Sequence, residues 1–224
     1  MPGIVVHNPN SSASELTYTF FHSKVDPMHT RTAIYGAIAD YLGHTPRIQE
    51  LLKKWDERTL YFETGILMQG IGSLKNDHDA KRRLLTNLAK NMTPSQDEAL
   101  VRLAFEYTRR EWKAVNELRN LIHKDGRIAY VLNFHFSLGK TATYIRGMAD
   151  TLIGIAAEKR KDEIDMSLRS CDARINLNDL LREILPQLGG SGGGHPLAAG
   201  ARVPERNFEY LINKLNESLD SIIT

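Results

Sequence analysis

Apolar residues recur at helical spacing through most of the first half of the chain and at strand spacing in parts of the second. In "RTAIYGAIADYLG", Ile34, Ile38 and Leu42 fall four residues apart, one stripe of a helix that Gly43 closes as a C-cap. Similar patterns predict helices over 46–55, 60–71 and 80–90. Ahead of them, "GIVVH" reads as a short apolar strand ended by the Asn8-Pro9-Asn10 turn, and "SSAS" offers caps for a helix. The longest pattern opens at Ser95, where Ser-Gln-Asp-Glu98 has the form of a capping box behind Pro94. It continues through Leu100, Leu103, Tyr107, Ala114, Leu118 and Leu121. That predicts about 27 residues, or about 40 Å of helix at 1.5 Å per residue. Arg102, Arg109, Arg110, Lys113 and Arg119 lie on its other side, and "HKDGR", residues 123–127, stops it.

Beyond that stop the period changes. "RIAYVLNF" is a buried-type strand, "GKTATYIRGMAD" a short helix, and "TLIGIAAE" with "EIDMSLRS" a hairpin turning at "KRKD". In the second arm Ile164, Met166 and Leu168 alternate with Asp165, Ser167 and Arg169, so one face is core and the other carries Ser167 and Arg169 outward. A helix "NLNDLLREIL", a glycine-rich loop, a strand "AAGARV" and an amphipathic helix through Phe208, Leu211, Leu215, Leu219 and Ile222 follow. The expected fold class is α/β. A mostly helical part with one strand covers 1–94, a long basic connecting helix 95–124, and a mixed sheet with flanking helices 125–224.

Composition narrows this only a little. With 224 residues, 42% hydrophobic and 25% charged, the chain can bury one large core or two small ones. No run approaches the roughly 18 apolar residues a membrane-spanning helix needs, and "MPGIVVHNPN" has no signal-peptide pattern, so a cytoplasmic location is expected. The lone Cys171 excludes an intrachain disulfide and a Cys-rich zinc site, and a buried or half-buried thiol is expected. The net charge of +2 conceals an uneven distribution: 7 basic and 9 acidic residues in 1–80, 11 and 6 in 81–127, 11 and 12 in 128–224. The excess in the middle suits either a solvated helix face or contact with a nucleic-acid backbone.

The candidate chemistry centres on "GGSGGGHPLAAGARVP", residues 189–204. Consecutive glycines let several backbone N–H groups point at one phosphate, and His195 adds a donor. A plain connector fits the same residues, although the apolar strand after it anchors the far end. The helix-loop-strand order differs from the strand-loop-helix order of the Walker A and dinucleotide motifs. Asp77 and Asp79 flank His78, but they stand where aspartates cap a helix. His22, Asp26 and His29 lack zinc-type spacing. No nucleophile elbow, Ser-His-Asp arrangement or paired carboxylates can be assigned, so no catalytic residue, metal ligand or cofactor is expected.

"SLRS" followed by "GGSGGGHPLAAGARVP" resembles the C-terminal DHHA1 domain of the DHH phosphoesterase superfamily, and is most similar to its RecJ-like branch. Arg169 and Ser170 match the family's Arg-Ser pair, Gly192, Gly193, Gly194 and His195 its Gly-Gly-Gly-His element, and residues 198–200 its Ala-Ala-Gly strand. The resemblance implies that these residues hold the phosphates of single-stranded nucleic acid or of a nucleotide. Upstream, "VVHNP" is similar to the strand after the DHH motif and "GAIADY" to the fourth catalytic motif, which puts its aspartate at Asp40, either a relic or a helix-end polar residue. The family's manganese or magnesium pair is held by motifs that precede the position of "VVHNP". Only a few residues stand there in this sequence, and one carboxylate cannot hold two divalent cations. The expectation is a nuclease-inactive RecJ-like chain. It resembles the archaeal counterpart of the RecJ-derived cell-division-cycle subunit of the eukaryotic replicative helicase. That resemblance implies a replication accessory subunit that binds single-stranded DNA and GINS and, through GINS, the MCM helicase. Two alternatives stand beside it: a nuclease or oligonucleotide phosphoesterase with metal ligands supplied by another chain, and an adaptor whose glycine element binds nothing.

Overall fold

The computed structural model describes residues 5–223, and its first helices begin where the sequence supplies an oxygen to cap them. Ser12, Thr45, Asp56 and Asp77 each accept a first-turn N–H, opening α1 (Ala13–Phe21), α3 (Pro46–Leu52), α4 (Glu57–Leu74) and α5 (His78–Ala89). α2 (Thr30–Ala39) follows a 3-10 turn, Pro27–His29, that Asp26 caps. It ends earlier than its apolar stripe indicates: Asp40 is the C-cap residue and Leu42 lies beyond the helix. Ile34, Ala37, Ile48, Leu51, Leu60 and Leu67 meet in one buried cluster. Helices this short are marginal alone, and this shared burial is what holds them.

α6 (Glu98–Leu118) starts three residues later than its sequence pattern predicts. Ser95 is not its cap, because the Ser95 N–H donates to Glu63 Oε2 at 2.8 Å and the Ser95 hydroxyl to Glu63 Oε1. A 3-10 turn, Pro94–Gln96, intervenes; Gln96 Oε1 accepts the Thr93 N–H at 2.8 Å, and Asp97 Oδ1 accepts the Leu100 N–H at 3.1 Å. The helix has 21 residues, about 31 Å at 1.5 Å per residue. The chain forms two compact units, Met1–Arg110 and Glu111–Thr224, so residues 98–110 of α6 belong to the first and 111–118 to the second. The described part of unit 1 contains no strand. Of the expected "GIVVH" strand, Gly3 and Ile4 lie outside the described residues, and Val5, Val6 and His7 are exposed and irregular. An extended segment with no neighbouring strand has nothing to pair with its N–H and C=O groups.

Unit 2 holds a six-stranded sheet in the order β1-β2-β3-β4-β6-β5. The strands are β1 (His123–Asp125), β2 (Ile128–Leu132), β3 (Ile153–Arg160), β4 (Glu163–Ser170), β5 (Ser191–His195) and β6 (Ala198–Pro204). The "HKDGR" stop is a hairpin: β1 turns at Gly126, whose φ is +53°, and pairs back on β2. Only β2 and β3 run parallel, because α7 (Leu138–Met148) crosses between them. α7 covers one face of the sheet over Ala129, Val131 and Ala156. α8 (Leu177–Ile184) and α9 (Phe208–Ile223) cover the other, over Ile155, Met166, Leu168 and Val203. β3 is therefore apolar without alternation, buried on both sides over its first five residues, whereas β4, after the exposed Glu163, alternates buried and half-buried positions. Among the described residues no helix is long and apolar enough to cross a membrane.

Tyr35 gives a test of the unit 1 core. It is 2% exposed, and its hydroxyl has no hydrogen-bond partner among the described residues. Burial, with the Glu63 charge adding to it and Arg31 opposing, pushes its pKa up to about 12. A buried hydroxyl that has lost water and gained no partner is a cost. Tyr35→Phe is therefore expected to keep or raise stability, by up to about 1 kcal/mol in urea denaturation; a clear loss would show that the hydroxyl is engaged.

Candidate functional site

The antiparallel ladders of β4, β6 and β5 arrange their residues in rows. Arg169 pairs with Ala198 and Ala198 with His195; Ser167, Gly200 and Gly193 make the next row, and Asp165, Arg202 and Ser191 the third. Residues directly opposite share a face, here the one turned away from the core side chains Met166, Leu168, Ala199 and Ala201. Ala198, Gly200 and Gly193 keep the middle of this surface flat. Two strand spacings separate Arg169 from His195, about 10 Å.

The glycine element is a strand and not the loop its composition suggests. A Cβ on Gly192 would lie 2.4 Å from the Gly200 carbonyl oxygen and 2.8 Å from Leu185 Cδ1. One on Gly194, at φ +157°, would lie 2.6 Å from the Ala198 oxygen. These glycines let β5 pack closely against β6 as an edge strand, instead of freeing the backbone. The turn after His195 is held from both sides. The Ser170 N–H donates to the Leu197 carbonyl at 3.0 Å, and the Leu177 N–H at the start of α8 donates to the Pro196 carbonyl at 2.8 Å. Asn178 Oδ1 accepts the Gly194 N–H at 3.1 Å.

Arg169 lies across the start of α7. Its Nη1 donates to the Leu168 carbonyl at 2.8 Å, and its Nη2 sits 2.6 Å from where a Gly139 Cβ would be. First-turn N–H groups of a helix have no intrahelical acceptor and carry partial positive charge. A guanidinium beside them makes a locally electropositive corner suited to an oxyanion. Arg202 is differently occupied: it forms a two-point pair with Asp165, with Glu163 and Arg160 adding to the network. The basic corner is thus confined to the Arg169–His195 row.

The predicted residues are therefore only partly gathered. Arg169 and His195 share a face across Ala198, and Gly193 lies beside them. Gly192 and Gly194 act through backbone packing. Ser170 is buried, and its hydroxyl accepts the Asp172 N–H at 3.3 Å, closing a turn in which Asp172 also binds Arg174. Those Arg174 hydrogen bonds hold the Asp172 carboxyl at about 2. Cys171 is exposed, not buried, with Arg146 Nη1 2.7 Å from its sulfur; it falls in the turn after β4, outside both cores. Gly139 and Asn178 were not singled out from the sequence. The signal for Gly139 is a glycine in the first turn of a helix, which is costly unless the space is used.

The carboxylates considered as metal ligands have local work. Asp77 accepts the Ala80 N–H at 2.9 Å, Asp79 pairs with Arg82, and Asp26 accepts the Met28 N–H at 2.7 Å. Among the described residues no three His, Cys, Asp or Glu side chains are grouped to hold a metal ion. The residues described do not fit a two-metal centre.

Residues 128–221 match the DHHA1 domain. That match falls within unit 2 and spans less than half of the chain. No curated protein matches the sequence. Among solved structures, the chain is similar to the DHH domain of a protein described as a member of the s1p family of ribosomal proteins. That match has a TM-score of 0.64 and 15% identity, and covers 92% of this chain and 52% of the other. It is similar to RecJ from Thermus thermophilus in complex with Mg2+, with TM-score 0.61, 17% identity, and 91% and 36% covered. An exopolyphosphatase-related protein from Bacteroides fragilis gives 0.54, 16%, and 97% and 59%. These are likenesses of fold, and the chain spans about half the length or less of the first two.

The Asp165–Arg202 pair should give the open face a pH signature. Hydrogen bonds from Arg202, helped by the charges of Arg202 and Arg160 and opposed by desolvation, hold the Asp165 carboxyl below its ordinary value. Its folded pKa is thus below the unfolded value of about 3.9. The contribution is complete above about pH 4 and is lost as pH falls below it. Asp165→Asn should lower stability near neutral pH by no more than about 1 kcal/mol, since Arg202 is half exposed. Denaturation curves of the two proteins should converge in acid; a constant gap would exclude the carboxylate charge as the cause.

Proposed function

We propose that this protein binds the phosphate backbone of single-stranded nucleic acid on the β4–β6–β5 face without cutting it. The supporting observation is the Arg169–Ala198–His195 row, beside the start of α7 on a surface floored by Ala198, Gly193 and Gly200. Arg169 and the α7 N–H groups take phosphate oxygens, His195 takes a neighbouring phosphate, and the flat floor lets the strand approach the sheet. The non-cutting part of the reading is supported by the structural work of Asp26, Asp77 and Asp79 and by the place of Asp40 at the C-cap of α2. The biological setting rests on the sequence resemblance alone: an archaeal replication accessory subunit bound to GINS and, through it, to MCM.

Titration of labelled single-stranded DNA at two salt concentrations tests the first part. Binding should weaken as salt rises, and Arg169→Ala with His195→Ala should weaken it further by about tenfold at a given salt, with a shallower salt slope. Salt-insensitive binding, or none, would sink the phosphate reading. A manganese-dependent nuclease assay tests the second: cleavage abolished by Asp40→Ala would overturn the non-catalytic assignment. Failure of purified GINS to retain the protein would remove the replication setting.

A further inference from the structure

Unit 1 carries its own set of cations, distant in sequence from Arg169 and His195. Ser73, Lys75, Glu106, Arg109 and Arg110 line an open cleft of about 660 Å³ between the end of α4 and the middle of α6. Lys75, at φ +44°, turns the chain away from the end of α4, and Lys81 Nζ donates to its carbonyl. Arg110 is held in place: Nη2 donates to Ser73 Oγ at 3.0 Å, and its guanidinium stands 5.5 Å from the centre of the Tyr107 ring. The side chains of Lys75 and Arg109 are exposed and pair with no carboxylate among the described residues. Glu106 is the one carboxylate in the lining. Three cations therefore line the cleft against one carboxylate.

Phe105 supplies the second component. It is 56% exposed on α6, four residues before Arg109 and so on the same stripe of the helix. A bare aromatic ring beside an uncompensated arginine suits alternating bases and phosphates better than it suits an acidic peptide, which has no planar group for the ring. We infer that the α4–α6 cleft is a second binding site for single-stranded nucleic acid, with Lys75 and Arg109 on successive phosphates and Phe105 stacking a base. It uses no residue of the β4–β6–β5 face and stands independently of the function proposed for that face.

The test is fluorescence anisotropy of the full chain with a fluorescein-labelled oligothymidylate across a range of salt. Lys75→Gln with Arg109→Gln should weaken binding and reduce the slope of log affinity against log salt by about 1.4, or about 0.7 for each phosphate that is no longer neutralised. Phe105→Ala should weaken it by about fivefold or more with the slope unchanged. Arg169→Ala with His195→Ala should leave both of these differences in place. Photocross-linking with an iodouracil-substituted oligonucleotide should label a peptide from residues 98–110. Unchanged affinity and slope in the Lys75/Arg109 variant, with its circular dichroism intact, would overturn the proposal. Cross-links confined to residues 163–204 would also overturn it while leaving the face of the sheet supported. Preference for a polyglutamate peptide over the oligonucleotide would reassign the cleft to acidic protein segments.

Discussion

The pairing of β5 with β6 is a contact between backbones, and the candidate site depends on it. Where Cβ atoms at 192 and 194 would strike the carbonyl oxygens of Gly200 and Ala198, glycine lets β5 settle against its neighbour. Once it does, the register follows: His195 stands opposite Ala198, and Ala198 opposite Arg169. Two basic residues 26 positions apart thereby come to one surface. The turn between β5 and β6 is tied to Ser170 on one side and to Leu177 on the other, so the position of His195 depends on β4 and α8 as well as on its own strand.

The unequal covering of the sheet decides which surface is available. α7 must cross from β2 to β3 to join two parallel strands, and it lies over that part of the sheet. α8 and α9 fill the opposite face. What stays open is the α7 side of β6 and β5, while on β4 the same face is half covered. Charge is sorted along it: Asp165, Arg202, Arg160 and Glu163 neutralise one another at one end, and Arg169 and His195 stand at the other.

Two buried carboxylates locate α6, one in each unit. Glu63 receives the N–H and hydroxyl of Ser95 just ahead of the helix, and Glu111 within it receives Lys140 Nζ at 2.9 Å and the Tyr144 hydroxyl at 3.0 Å. Each carboxylate is less than a tenth exposed. Buried charge tolerates little change in its partners, because removing one leaves an ion with neither water nor a donor. These contacts fix where the helix starts and how its last turns sit on α7. They also account for the shift of its first residue from Ser95 to Glu98.

Periodicity and capping determined much of this protein from sequence alone. The helices after Ser12, Thr45 and Asp77, the β3–β4 hairpin with its alternating face, α8, β6 and α9 were all legible, because each is specified by residues within one or two turns of one another. Arg169 and His195 were singled out by the resemblance of their motifs and not by periodicity. Tertiary structure alone decided the rest. It decided that "GGSGGGH" is a strand, since a side-chain-free segment has no period of its own and takes its conformation from β6 and α8. It decided that Gly139 makes room for a guanidinium, and that Val5 and Val6 find no sheet. Each of these outcomes depends on a partner far away in the chain, and pairing across such distances leaves no local pattern to read.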